Sequence, residues 1–349
     1  MAAYTTIDNP ELYFQVKLYS GTGSSQAITL DGDTDMQPDL VWVKERGSTA
    51  SHGWTDSVRG LDKYISSEQN IAEYSLSNNG LSAFGSDGFT VVSHAMFNGS
   101  SKTYVAWCWK ANGSGSSNTD GSINTTKTSA NTTSGFSINT FTGSGSAATI
   151  GHGLSAVPEM IISKETGGSN AWYVYHVKNG NTHGLRLSAT DAKEDDATLW
   201  NDTTPTSTVY SVGSNTGTND STAMVSYVFA PKQGFSKIGS YTGNGNADGT
   251  FTYTGFRPAW IMFKNASAGS SNWQIYDNKR EGYNGQNDLF RANSSNAEGD
   301  GVDPIDILSN GFKQLNTAAS NNVSGQTYVY MAFAEAPFVN SKGVPCNAR

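Results

Sequence analysis

Three prolines each stand six residues ahead of a lysine: Pro38 and Lys44, Pro158 and Lys164, Pro258 and Lys264. The segments between begin Asp-Leu-Val-Trp-Val, Glu-Met-Ile-Ile-Ser and Ala-Trp-Ile-Met-Phe. Each is short, apolar and rich in β-formers, and a continuous apolar run of this length suits a strand covered on both faces. The likeness extends both ways. Upstream, an aromatic-led strand runs into a Gly-x-Gly turn at 21–23, 143–145 and 243–245. In the third copy that strand holds one extra residue after Phe235, which reads as a β-bulge. Downstream come Trp54, Trp172 and Trp273, and each copy closes on an apolar strand ending at Trp109, Phe229 or Phe333. Each copy spans about 100 residues, the size of a small domain and longer than a solenoid repeat.

These signals predict an all-β chain of three tandem β-sandwich, jelly-roll-like domains with short terminal arms. The boundaries are 1–12 for an N-terminal arm, 13–110 for repeat 1, 135–230 for repeat 2, 231–334 for repeat 3 and 335–349 for a C-terminal arm. Residues 111–134 are almost all Gly, Ser, Thr and Asn, and read as a linker or long surface loop.

Charged residues make up only 15% of the chain, against ~25% in an average soluble domain, and the net charge is −8. The charge argues against nucleic acid, which needs a basic patch. No apolar run approaches the ~20 residues that span a bilayer, so membrane insertion is not expected. The start, Met1-Ala-Ala-Tyr, lacks the basic and apolar regions of an export signal. Two cysteines, Cys108 and Cys346, are too few for a disulfide framework or a zinc site.

The side chains that could carry chemistry do not recur between copies. Glu194-Asp195-Asp196 and Asp300, Asp303 and Asp306 could serve a glycosidase, but they sit among turn residues and read as solvated loops. Asp31-Gly-Asp33-Thr-Asp35 resembles the start of a calcium loop. It lacks the glycine of an EF-hand's sixth position, where Met36 stands, and the acid of the twelfth, where Trp42 stands. No cofactor is expected, with calcium the one ion left open. None of the five histidines has the spacing of a helical metal pair. The Gly-x-Gly pairs lead to no helix and read as turns rather than phosphate cradles. Recurring aromatics read as core. The non-recurring Tyr64, Tyr74, Tyr210 and Tyr283 are the candidates for contact with a glycan or a protein partner.

The chain resembles a repeat domain of structural proteins of tailed phages, especially phages of marine bacteria and cyanobacteria. The residues that carry the resemblance include Asn-Pro-Glu-Leu-Tyr-Phe-Gln-Val at 9–16, Met-Gln-Pro-Asp-Leu-Val-Trp-Val-Lys at 36–44, Tyr-Val-Ala-Trp-Cys-Trp-Lys at 104–110, Ile-Asp-Ile-Leu-Ser-Asn-Gly-Phe-Lys at 305–313 and Tyr-Met-Ala-Phe-Ala-Glu-Ala-Pro-Phe at 330–338. The resemblance implies a non-catalytic virion component: a tail fibre or adhesion protein contacting the host, or alternatively a head or tail decoration protein. A secreted carbohydrate-active enzyme is the remote alternative. The implied partners are other virion proteins and a host surface glycan or outer-membrane protein. A homo-oligomer is expected, assembled in the host cytoplasm and exposed on the released particle.

Overall fold

The computed structural model describes residues 4–280, 284, 288–299 and 304–346. Strand accounts for 41% of the chain and helix for 5%, distributed over several antiparallel sheets. No helix among the described residues is long and apolar enough to cross a membrane.

One pattern of pairing occurs three times. In repeat 1 the order is Phe14–Ser20, Thr103–Trp109, Leu40–Glu45, Gly53–Asp56. In repeat 2 it is Phe136–Thr142, Ala223–Phe229, Met160–Glu165, Tyr173–His176, and in repeat 3 Ser236–Thr242, Thr327–Pro337, Phe256–Asn265, Gln274–Asp277. The registers agree: Leu40 lies opposite Trp109, Met160 opposite Phe229 and Trp260 opposite Phe333. The extra residue of the third copy makes no bulge. Ser236–Thr242 pairs without a break, and Phe235 simply precedes the strand. The irregular register lies instead around Arg257 and Pro258, where a ring without an N–H interrupts the ladder.

A smaller sheet covers one face of each main sheet. In repeat 1, Ile28, Leu81, Phe89 and Val91 of the small sheet pack with Val41, Val43, Ala106 and Cys108 of the large one. Separate clusters serve repeats 2 and 3. The opposite faces of all three main sheets meet in one common apolar cluster. It contains Trp42, Trp54, Trp107 and Trp109 of repeat 1, Trp172 and Tyr227 of repeat 2, and Trp260, Trp273 and Phe333 of repeat 3. This is why the Pro-to-Lys strands are apolar on both faces. It also means that no repeat buries its inner face alone.

The stretch 111–134 differs from a bare linker. Lys127–Asn131 pairs with Phe136–Thr142 and widens the sheet of repeat 2, and Ile123 bridges to Ile150. The arms lie on repeat 3 and on each other: the Tyr4 hydroxyl donates to Gly255 O at 2.7 Å, and the Ser341 amide donates to Asp8 at 2.6 Å.

The Gly-x-Gly turns are fixed by a buried asparagine in each repeat, Asn98, Asn219 and Asn322. Its side-chain oxygen accepts the amide of Thr22, Ser144 or Asn244 at 2.8–2.9 Å. Its carbonyl accepts the amide of Gly23, Gly145 or Gly245, whose φ values of 73°, 69° and 67° favour glycine.

Candidate functional site

The polar groups that recur lie between the repeats and close them into a ring. The Glu73 amide donates to Thr166 O at 2.9 Å, from repeat 1 to repeat 2. Lys193 donates to Ala266 O at 3.1 Å, from 2 to 3, and Glu298 to Arg46 O at 2.9 Å, from 3 back to 1. A second set joins the same pairs of repeats with donor and acceptor reversed. Trp172 Nε1 donates to Ser66 O at 2.9 Å and Trp273 Nε1 to Arg186 O at 2.8 Å. In the third place the donor is His52. Trp42 Nε1, which can only donate, bonds His52 Nδ1 at 2.8 Å, so the histidine proton sits on Nε2 and points at Arg291 O at 3.1 Å. Burial holds His52 down to about 3, and Lys44 nearby adds to this.

An ionic triad sits behind two of these contacts. Asp56 binds Arg59 at 2.6 Å, and Arg59 binds Glu73 at 2.9 Å. Asp277, Arg280 and Glu298 repeat the arrangement at 2.7 and 2.9 Å. Each aspartate also takes a proton donor from the neighbouring repeat: Tyr227 OH for Asp56 at 2.8 Å, Trp107 Nε1 for Asp277 at 2.9 Å. Arg280 is wholly buried, 4.6 Å from the centre of the Phe290 ring. In repeat 2 the same three positions hold His176, Asn179 and Lys193. The residue that would supply the donor is Met331, matched in register to Trp107 and Tyr227. Met331 has no polar hydrogen, and His176 Nε2 instead reaches Tyr330 O at 3.2 Å.

The repeated lysines are buried cations. Lys44, Lys164 and Lys264 each direct Nζ to the carbonyl of the next residue, at 2.7, 2.5 and 3.1 Å. Burial lowers all three to about 8. The triads, the indoles and the imidazoles join repeats, and of the three lysines Lys264 also reaches across, to Thr190 O at 3.1 Å.

Of the tyrosines singled out from sequence, Tyr64 and Tyr74 are brought together: they stack in repeat 1, rings 5.6 Å apart and 19° from parallel, with Tyr74 exposed. Tyr210 is no surface residue. It packs in the core of repeat 2 and donates to Ser226 Oγ at 2.8 Å, because its strand turns that face inward. Tyr283 lies outside the described residues, as do Asp300 and Asp303. Asp31 pairs with Lys17, and the Asp33 amide donates to Glu11. Asp31, Asp33 and Asp35 form no metal cage, and no group of three or more metal-ligating side chains occurs among the described residues. Glu194 pairs with Arg186 at 2.6 Å, and Asp196 caps the short helix Ala197–Trp200 through the Thr198 amide. All eight tryptophans are buried, so a surface platform can use only tyrosine or phenylalanine.

Sequence reading missed the ionic triads and the latch asparagines. The triads carried a signal, Asp-x-x-Arg at 56–59 and 277–280, absent from the middle copy. The asparagines stand four or five residues before the closing strand, hidden among many others.

Fold and site together define a nearly all-β protein of three like repeats joined in a ring by buried polar contacts. The chain belongs to the family described as Domain of unknown function (DUF7483), whose profile matches residues 9–337. No curated protein and no solved structure matches it.

Proposed function

We propose that this chain is a non-catalytic structural component of a tailed-phage particle, a tail fibre or adhesion protein that contacts the host surface. On this reading the three repeats are tandem jelly-roll-like sandwiches joined into one body. The observation that carries the proposal is the set of equivalent main-chain bonds running from repeat 1 to 2, 2 to 3 and 3 to 1. The recurring ionic triads are committed to that ring, which favours a rigid scaffold over an active site. The low content of charged residues, and the resemblance of the repeated motifs to those of phage repeat proteins, support the same reading.

The ring also favours a second reading. Three like lobes in cyclic order suit a local threefold point of a shell, as a decoration protein would need. Labelling the purified particle with antibody and counting copies by quantitative mass spectrometry separates the two. A few copies at the tail support adhesion, and many over the head support decoration. Absence from the particle overturns both.

A further inference from the structure

The described residues expose five large apolar side chains, and two of them, Phe251 and Tyr253, stand side by side on one face of the strand Phe251–Tyr253. They are 43% and 48% exposed, while Thr252 between them is buried. The fold does not require them. Thr252 pairs with Phe312 as Ile28 pairs with Phe89 and Ile150 with Tyr210. The matching positions are therefore Ala27 and Thr29 in repeat 1, and Thr149 and Gly151 in repeat 2. In repeat 2 the chain covers its own counterpart: Ser122 N bonds Thr149 Oγ1 at 2.8 Å and Ile123 N bonds Thr149 O at 3.1 Å. In repeat 3 the aromatic pair instead lines an open groove of about 660 Å³ at the junction with repeat 2.

Much of the remaining lining is polar. Glu159 and Lys178 come from repeat 2, and Lys237 and Thr242 from repeat 3. Lys237 Nζ sits over one face of the Tyr253 ring, 5.4 Å from its centre, and the Tyr4 hydroxyl lies 3.2 Å from that of Tyr253. Two rings spaced roughly 7 Å along a strand can each take the C–H face of a sugar ring. A carboxylate, two ammonium groups and hydroxyls in the same lining can satisfy the sugar hydroxyls. Exposed aromatic patches rimmed by polar groups mark binding sites.

We propose that the groove between repeats 2 and 3 binds a hexopyranose chain, stacked on Phe251 and Tyr253 and hydrogen-bonded by Glu159, Lys178 and Lys237. The proposal rests on the adhesion reading for its biological setting and gives that reading a ligand class. Its test needs only the purified full chain. Saturation-transfer NMR is run with cellohexaose, chitohexaose, maltohexaose and hexaguluronate. Binding of at least one is expected, weakened about tenfold by Phe251→Ala combined with Tyr253→Ala and unchanged by Tyr74→Ala. The single variants are the fallback if the double variant fails to fold, which melting curves report. The proposal is overturned if no probe binds, if binding survives loss of both rings, or if light scattering shows that the two changes abolish a dimer, meaning a second copy covers the patch. A chain that binds a probe but is missing from the particle sinks the particle reading alone. One counted on the particle that binds no probe sinks the groove alone.

Discussion

The indole N–H of Trp107 donates to the Asp277 carboxylate at 2.9 Å, across the boundary between repeats 1 and 3. Asp277 is fully buried and also holds Arg280 at 2.7 Å. A buried charge is tolerated only when its partners are complete, so the boundary is specified by chemistry as well as by apolar packing. Tyr227 and Asp56 make the matching contact between repeats 2 and 1. Where Met331 removes the donor, the aspartate acceptor is gone too, and His176 stands in its place and donates from Nε2 to Tyr330 O. The ring is thus threefold in its main-chain contacts and adjusted residue by residue in its side chains.

Tyr227→Phe removes one hydroxyl from this contact with little change of shape. Asp56 keeps Arg59 but loses a donor inside the protein. A hydrogen bond to a charged group contributes ~1.5–3 kcal/mol, and that loss of stability is expected in urea unfolding. A change under ~0.5 kcal/mol would show that the contact is incidental.

His176→Asp copies the residue of the other two repeats into the place that lacks their partners. Position 179 holds Asn rather than Arg, and Met331 offers no donor. The new carboxylate would be buried with neither the arginine nor the donor of its counterparts, and with only Lys178 nearby, so a loss of ~3–5 kcal/mol or failure to fold is expected. Met331→Gln in the same chain should recover part of the loss by supplying a donor. If His176→Asp melts with the parent, the matching of donor to acceptor carries no energy.

Stability should peak on the alkaline side of neutral. Burial lowers His52 to about 3 and His176 to about 4, from an ordinary 6.5. Below that ordinary value the unfolded chain takes up protons that the folded chain refuses, so stability falls as pH drops through the window from 6.5 towards 4 and 3. Lys44, Lys164 and Lys264 sit near 8 instead of 10.5. Between those values the unfolded chain again binds more protons, and stability rises with pH. Tyr227 and Tyr241 are raised well above 10, and the Cys108 thiol is raised too, all by burial. They oppose the lysines once the unfolded thiol and phenols ionise, from about pH 9 upwards. Melting temperature measured against pH should therefore climb past pH 8 before it falls, and Lys164→Met should flatten the climb. A steady decline from pH 7 to 10 would contradict the account.

The strands were legible because their apolar runs recur, and the recurrence also marked which aromatics are core: Trp54, Trp172, Trp273, Trp109, Phe229 and Phe333 are all buried. The ring was not legible. Its bonds end on the carbonyls of Thr166, Ala266 and Arg46, or of Ser66, Arg186 and Arg291, and a main-chain carbonyl leaves no mark in sequence. The stretch 111–134 misled for a related reason. Its composition cannot build a core, but Lys127–Asn131 needs none, because the existing edge at Phe136–Thr142 supplies its hydrogen bonds. Tyr210 was misjudged because its counterparts, Phe89 and Phe312, differ enough to hide the match.

The common apolar cluster sets how far the chain can be divided. A fragment carrying residues 135–349 retains the small sheets and outer cores of repeats 2 and 3, but it strips Trp42, Trp54 and Trp107 from the faces they cover. Trp172 Nε1 then loses Ser66 O, and Tyr227 OH loses Asp56. Such a fragment should bind a hydrophobic dye, self-associate and melt broadly, while the whole chain unfolds in one transition. Adding residues 1–134 as a separate chain should restore the sharp transition, since the surfaces that meet are complementary and already formed. A monomeric fragment with a sharp transition near that of the whole chain would mean that the repeats are independent domains in a row, and that the ring between them contributes little.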